Sequence, residues 1–268
     1  MASKLEYMGK KLMTKLTTHD DFQGGTLTEI TGSQGSGKTS AMLAFLTLNI
    51  NKYPKEKIFF SNTYDAPIQF NRLSNYHLMV KTDSNVKVYD RKTHKEIHPP
   101  ITYFTDFKDC YQKAKRGISN VVFFGDRTEW RAFIHYLRSA GEWCSVFVDE
   151  FSEIAPAQRS GDEWTAIEKF AVDLKEIRKC WINIFYNSQS KTDIDYRVRS
   201  KVMCKILLPG ARADKGAICK QPLINQLRED KVSGNNAIIE FNNRFGMVQF
   251  SNLYQPDLNK VWEVRVEG

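Results

Sequence analysis

The sequence predicts an α/β fold: a mainly parallel central sheet with helices on both faces, and antiparallel edge strands toward the carboxyl end. Three observations lead there. Short apolar runs of strand length alternate with longer stretches of helical period along most of the chain. A glycine-rich stretch at 32–39 separates the apolar run 27–31 from residues 40–51, which are apolar nearly all round. Beyond residue 236 the pattern changes to alternation, at 237–241, 247–250 and 261–266.

Taken in order, residues 1–24 form a basic amphipathic arm. Leu5, Met8, Leu12 and Leu16 recur at near-helical spacing between Lys4, Lys10, Lys11 and Lys15. This reads as a short helix packed on the domain; an arm docking on a neighbouring subunit or an anionic surface is the alternative. Residues 25–210 form the core. After the strand at 27–31 and the buried helix comes a strand at 57–61. Residues 62–118 carry the weakest pattern. The runs 86–89 and 96–98 flank a polar stretch, so a surface hairpin is expected as an insertion near 84–100, followed by a short helix at 106–116. Residues 121–124 and 146–148 read as buried strands around a helix at 128–140. In 163–179, Trp164, Ile167, Ala171, Leu174 and Ile177 fall on one face of a helix. Strands at 182–186 and 202–208 follow, the second ended by Pro209-Gly210. Residues 211–268 add a basic segment and the edge strands to the same domain.

Composition narrows the class. The chain has 268 residues, 41% hydrophobic and 26% charged, enough for one large domain with a sizeable core. Its net charge of +8 favours polyanionic partners. Cys110, Cys144, Cys180, Cys204 and Cys219 form no C-x-x-C pair, so neither a zinc cage nor a redox dithiol is indicated, and their spacing fits reduced thiols in the cytoplasm. His94 and His98 precede Pro99 and Pro100 with no third ligand near, so they read as a solvated loop pair. No apolar run reaches spanning length and mean hydropathy is −0.47, so no membrane insertion is expected.

Gly32-Ser33-Gln34-Gly35-Ser36-Gly37-Lys38-Thr39 matches the phosphate-loop pattern G-x-x-x-x-G-K-[ST] in full. Its glycines let the backbone turn tightly and aim N–H groups at phosphate oxygens. The helix beginning there, with Ser40 in its first turn, adds its positive dipole end. Lys38 is suited to the β- and γ-phosphates of ATP, and the Thr39 hydroxyl to Mg²⁺. Downstream, an apolar strand delivers Asp149 and Glu150. Asp149 would hold the metal through water, and Glu150 would polarise the attacking water as general base. The next apolar strand ends in Asn187-Ser188-Gln189. A polar residue there could sense the γ-phosphate, and Gln189 is favoured over Asn187. Arg178, at the end of the preceding helix, could complement the helix dipole or project into a neighbour's site.

The ordered set G-S-Q-G-S-G-K-T, V-F-V-D-E-F-S-E-I-A-P, E-I-R-K-C-W-I-N-I-F-Y-N-S-Q and D-I-D-Y-R-V-R resembles the HerA/FtsK superfamily of ring-forming motor ATPases over roughly residues 25–210. The resemblance implies a P-loop NTPase sheet with an additional strand between the loop strand and the acidic strand. It implies Gln189 as sensor and Arg178 as an arginine acting in trans, with Arg197 and Arg199 as alternatives. It further implies a homo-oligomeric ring, a hexamer by the superfamily's habit, that moves double-stranded DNA. The compact form fits the packaging ATPases of viruses and mobile elements, whose partners include capsid or portal proteins.

Nine basic residues (Arg197, Arg199, Lys201, Lys205, Arg212, Lys215, Lys220, Arg228 and Lys231) stand against Asp214, Glu229 and Asp230 in the segment 197–231. Phosphate-backbone contact, subunit contact or a solvated surface would each account for them. The alternative to a DNA motor is a protein-remodelling or assembly ATPase that never touches DNA. A small-molecule kinase should have no need of Glu150.

Overall fold

The computed structural model describes residues 9–20, 22–61, 67–68, 76–90, 92–157, 161–188, 190–229, 235–250 and 262–267. In chain order its first elements are α1 (Gly9–Leu16), β1 (Leu27–Thr31), α2 (Lys38–Lys52), β2 (Lys57–Ser61), β3 (Pro67–Ile68), β4 (Tyr76–Lys81), β5 (Asn85–Asp90), β6 (Glu96–Ile97), β7 (Ile101–Phe104) and α3 (Phe107–Lys113). Next come β8 (Ser119–Phe123), α4 (Glu129–Leu137), β9 (Cys144–Val148), α5 (Asp162–Glu176), β10 (Ile182–Asn187), α6 (Tyr196–Arg199) and β11 (Cys204–Leu207). The chain closes with α7 (Gln221–Glu229), β12 (Asn235–Phe241), β13 (Arg244–Phe250) and β14 (Trp262–Glu267).

The central sheet has ten strands in the order β13-β12-β11-β1-β10-β9-β2-β8-β4-β7. All are parallel except β12 and β13, which form the antiparallel edge beyond β11. As expected, one strand, β10, lies between loop strand β1 and acidic strand β9. The inner strands β1, β2, β8, β9 and β10 are buried at every residue, because helices cover both faces. Successive side chains serve opposite layers: Phe147 packs with α1 and α2, Val146 and Val148 with α4 and α5. Six consecutive α2 residues, Ala41, Met42, Leu43, Ala44, Phe45 and Leu46, are buried, which accounts for its all-round apolar sequence.

Helix α1 packs on β12 and β13, and its Leu12 and Leu16 join the main core. The chain after it is held by His19, stacked between Tyr53 and Trp143 at centroid distances of 3.5 and 4.1 Å. Two expectations are corrected. The hairpin β5–β6 forms, but the last alternating segment joins it and not the main sheet. β14 pairs antiparallel with β5 and with β3 in a second sheet ordered β3-β14-β5-β6. On α5, Ile167, Phe170, Ala171 and Leu174 face the core, while Trp164 is 44% exposed. Trp164 lies in the first turn, where Arg197 from α6 covers its ring.

Candidate active site

Parallel β1, β10 and β9 end side by side, so the segments that follow them share one edge of the sheet. The loop after β1 needs its glycines. Gly35 (φ 73°) and Gly37 (φ 89°) are left-handed, and a Cβ on Gly32 would lie 2.4 Å from Ser36 Oγ. The loop is tied to the end of β11, since Ser33 N and Oγ both donate to Pro209 O at 3.1 Å. Lys38 Nζ donates to Gly32 O (3.3 Å) and Ser33 O (3.1 Å), arching over its own loop. Partial burial lowers the Lys38 pKa, against the opposing pull of Glu150 and Asp149. Ser40, partly buried, lies in the first turn of α2, whose N–H groups have no intrahelical partner.

The acids meet this loop. Asp149 N donates to Ser61 O at 2.9 Å, which fixes the end of β9 against β2. The Asp149 carboxylate accepts from Asn187 Nδ2 at 2.6 Å and from Thr39 Oγ1 at 3.4 Å. Burial raises its pKa, with Asn187, Arg127 and Thr39 opposing. Glu150 is left-handed (φ 55°, ψ 64°), a conformation that costs a non-glycine residue about 1–3 kcal/mol. Its N–H donates to Asn187 Oδ1 at 3.0 Å. Asn187 thus bridges both acids, whereas Gln189 lies outside the described residues.

Sequence reasoning missed Arg127. Buried beyond the end of β8, it donates through Nη2 to Asp149 O (2.5 Å) and Ser61 Oγ (3.3 Å) and pairs with Glu153. The only sequence signal is its place just past an apolar strand, in G-D-R-T.

The segments leaving β9 and β10 are joined by a Pro156–Ile194 bridge, by Ala157 N to Asp193 O (2.8 Å) and by Asp195 N to Ala155 O (3.1 Å). Arg197 follows this junction and pairs with Asp195 at 3.2 Å. Arg178 is remote from it. It lies in a 3₁₀ turn (Ile177–Cys180) before β10, at the amino edge, a strand length from Lys38. In the basic segment Lys205 pairs with Asp214 at 2.5 Å, and the side chains of Arg228 and Lys231 are outside the described residues.

On the β11 side of the loop is a cleft of ≈820 Å³, lined in part by Gly32, Ser33, Thr192, Arg212, Gln221 and Asn225. Gln221 shapes it by accepting from Ala213 N (2.8 Å) and donating to Ala211 O (3.1 Å) and Asn225 Oδ1 (2.9 Å).

The site fits Mg²⁺. A hydroxyl and a carboxylate, both hard oxygen donors, converge at Thr39 and Asp149, a set Mg²⁺ completes with phosphate and water. A cation there would offset the burial that disfavours the Asp149 charge. Among the described residues no group of three or more His, Cys, Asp or Glu could hold a metal, so an all-protein cage is not offered.

Sheet order, loop and acidic strand define a P-loop NTPase fold. No protein-family model matches the chain, and no curated protein matches it in sequence. Solved structures do. The genome packaging NTPase B204 from Sulfolobus turreted icosahedral virus 2, in complex with ATP-γ-S, aligns with a TM-score of 0.50 at 11% identity over 87% of this chain and 98% of that one. The same protein in complex with sulfate aligns at 0.51, with 11% identity over 85% and 96% of the two chains. The N-terminal domain of zonular occludens toxin from Neisseria meningitidis aligns at 0.43, with 17% identity over 87% and 100%. Among the described residues no helix is long and apolar enough to cross a membrane.

Proposed function

We propose that the chain is an ATP-hydrolysing motor that moves double-stranded DNA, as in genome packaging, and works as a homo-oligomeric ring. The observation that carries the ATPase reading is the convergence of Thr39, Asp149, Asn187 and the Glu150 backbone at the glycine-rich loop. The loop amides and the α2 terminus bind the phosphates, and Lys38 turns from its loop carbonyls to the β- and γ-oxygens. Thr39 and, through water, Asp149 would hold Mg²⁺, which neutralises phosphate charge when bound. The Glu150 carboxylate takes a proton from the attacking water. The water oxygen then bonds to the γ-phosphorus as the bond to the ADP oxygen breaks. Asn187 keeps Glu150 aimed. The cleft beside Arg212 and Asn225 has room for the nucleoside.

Arg178 cannot serve its own subunit from the opposite edge. In a ring it would enter the next subunit's site, where such an arginine contributes on the order of 10³-fold or more. DNA as substrate is supported by the net charge of +8 and by the likeness to a genome packaging NTPase. The test is ATP turnover with and without long duplex DNA, for the wild type and Glu150→Gln. The wild type should be stimulated by DNA, and the variant should bind nucleotide but turn over at least about 10²-fold more slowly. Normal hydrolysis by the variant would remove Glu150 as base. Turnover indifferent to DNA would favour a protein-remodelling ATPase.

A further inference from the structure

The peptide group that joins the two acids is held from both sides. Its carbonyl, Asp149 O, accepts from Arg127 Nη2 at 2.5 Å, and its N–H, on Glu150, donates to Asn187 Oδ1 at 3.0 Å. A peptide group is planar, so these two bonds together set its tilt. That tilt decides the φ of Glu150, which is left-handed at 55°. Turning the group over would relax Glu150 to negative φ and swing its carboxylate elsewhere. It would also break both bonds and set an N–H donor against a buried guanidinium.

Arg127 is itself anchored. It lies in the turn between β8 and α4, where Asp126 Oδ1 accepts from Thr128 N (2.8 Å) and Glu129 Oε1 accepts from Asp126 N (3.2 Å). Lys81 of β4 pairs with the other Glu129 oxygen at 2.7 Å. From this turn the side chain crosses the end of β2 to reach β9, two strand spacings or about 10 Å away. On the way Nη2 donates to Ser61 Oγ at 3.3 Å, while Ser61 O accepts from Asp149 N at 2.9 Å. Nη1 pairs with Glu153, whose N–H donates to Glu150 O at 3.1 Å. One guanidinium therefore grips the chain both before and after Glu150. The planar fork of an arginine offers donors in fixed directions for this, where a lysine head is a compact point charge.

We propose that Arg127 is a positioning residue for ATP hydrolysis: it locks the Asp149–Glu150 peptide and so aims the Glu150 carboxylate at the attacking water. This rests on the reading of Glu150 as base. The contacts of Arg127 named above fall on the end of the acidic strand and not on the phosphate loop, so nucleotide binding stays outside its influence. Asn187 acts on the same peptide group, so the two contributions overlap and do not multiply.

The test compares single-turnover rate, nucleotide affinity and melting for the wild type, Arg127→Lys, Asn187→Ala and the double variant, and for Arg127→Lys placed on Glu150→Gln. Arg127→Lys should bind nucleotide within about threefold of the wild type yet turn over at least about 10²-fold more slowly, the cost of a misplaced reacting group. The double variant should lose no more than about threefold beyond the slower single one, and Arg127→Lys should add no more than that to Glu150→Gln. Wild-type turnover by folded Arg127→Lys, losses that multiply in the double variant, or an undiminished loss on top of Glu150→Gln would each overturn the proposal. Glu153→Gln carries the test if Arg127→Lys melts below the assay temperature. It alters a side chain that is 42% exposed and loosens the same fork. It should slow turnover about tenfold at unchanged nucleotide affinity, and wild-type turnover from it would equally overturn the clamp. Normal hydrolysis by Glu150→Gln removes the base reading itself. A dead Glu150→Gln beside fully active Arg127→Lys and Glu153→Gln removes Arg127 alone.

Discussion

The Asp149 carboxylate accepts hydrogen bonds from Asn187 and Thr39, yet burial still holds its pKa above the usual range. Asn187 uses both ends of its amide, one on that carboxylate and one on the Glu150 N–H. Removing it leaves two enclosed polar groups short of a partner, at about 1–3 kcal/mol. It also frees Glu150 from the contact that restrains its left-handed backbone. Asn187→Ala should therefore melt a few degrees lower, since about 1 kcal/mol shifts a chain of this size by roughly 2–4 °C. Its turnover should fall at least about 10²-fold while nucleotide affinity changes little. A melting scan with a nucleotide titration and a turnover assay checks this, and unimpaired hydrolysis would deny Asn187 its role. Lys38, Thr39, Asp149 and Glu150 were legible because each sits in a contiguous motif whose chemistry is local. Arg127 was not, because its place in the site depends on reaching from the end of β8 to Ser61 and Asp149, and no spacing records that contact.

At the scale of elements, the far edge of the sheet depends on a buried imidazole. His77 on β4 bonds Asn120 of β8 through Nδ1 (3.0 Å) and Thr102 of β7 through Nε2 (2.7 Å). Burial lowers its pKa, the Asn120 contact opposes, and nearby Lys115 adds to the lowering. With the folded value below the unfolded one, the unfolded chain takes up a proton first as pH falls. This contribution to stability is therefore complete above about pH 6.5 and is lost as pH drops toward the folded value. Denaturant unfolding at pH 7.5 and 5.5 should show the wild type losing more stability on acidification than His77→Gln. Equal losses would mean that folding does not lower the His77 pKa. The parallel strands β1, β2, β8, β9, β10 and β11 were readable as apolar runs, because two covered faces leave no alternation. The membership of β14 was not, because its partner β5 is remote and an alternating strand looks the same in either sheet. Trp164 kept the helical spacing of a core residue, but α6 supplied an arginine instead of a core.

For the whole molecule, the net charge is +8, and Lys205 and Arg197 are paired with acids. Duplex affinity should therefore come from many weak phosphate contacts without base preference. If about six phosphates are engaged, binding should weaken about 10³-fold between roughly 50 and 200 mM salt. Anisotropy of labelled duplexes of two unrelated sequences measures both properties. Affinity indifferent to salt would exclude a phosphate-tracking motor. The fold class was legible as a whole because the loop, the acidic strand and the next apolar strand follow one another in order. The small second sheet was not, because it joins distant segments.

That second sheet has a consequence in time. Asp90 and Trp262 are partners, so β5 must wait for a strand made roughly 170 residues later, about 10–35 s at ribosomal speed. Until then the Val88 side chain, fully enclosed in the finished protein, lacks one neighbouring strand, and β5 offers an open edge to other nascent chains. The phosphate loop, Asp149 and Asn187 emerge well before that point. The parallel core is thus synthesised before the insertion can close, and the late step in folding belongs to the hairpin and not to the phosphate-loop edge.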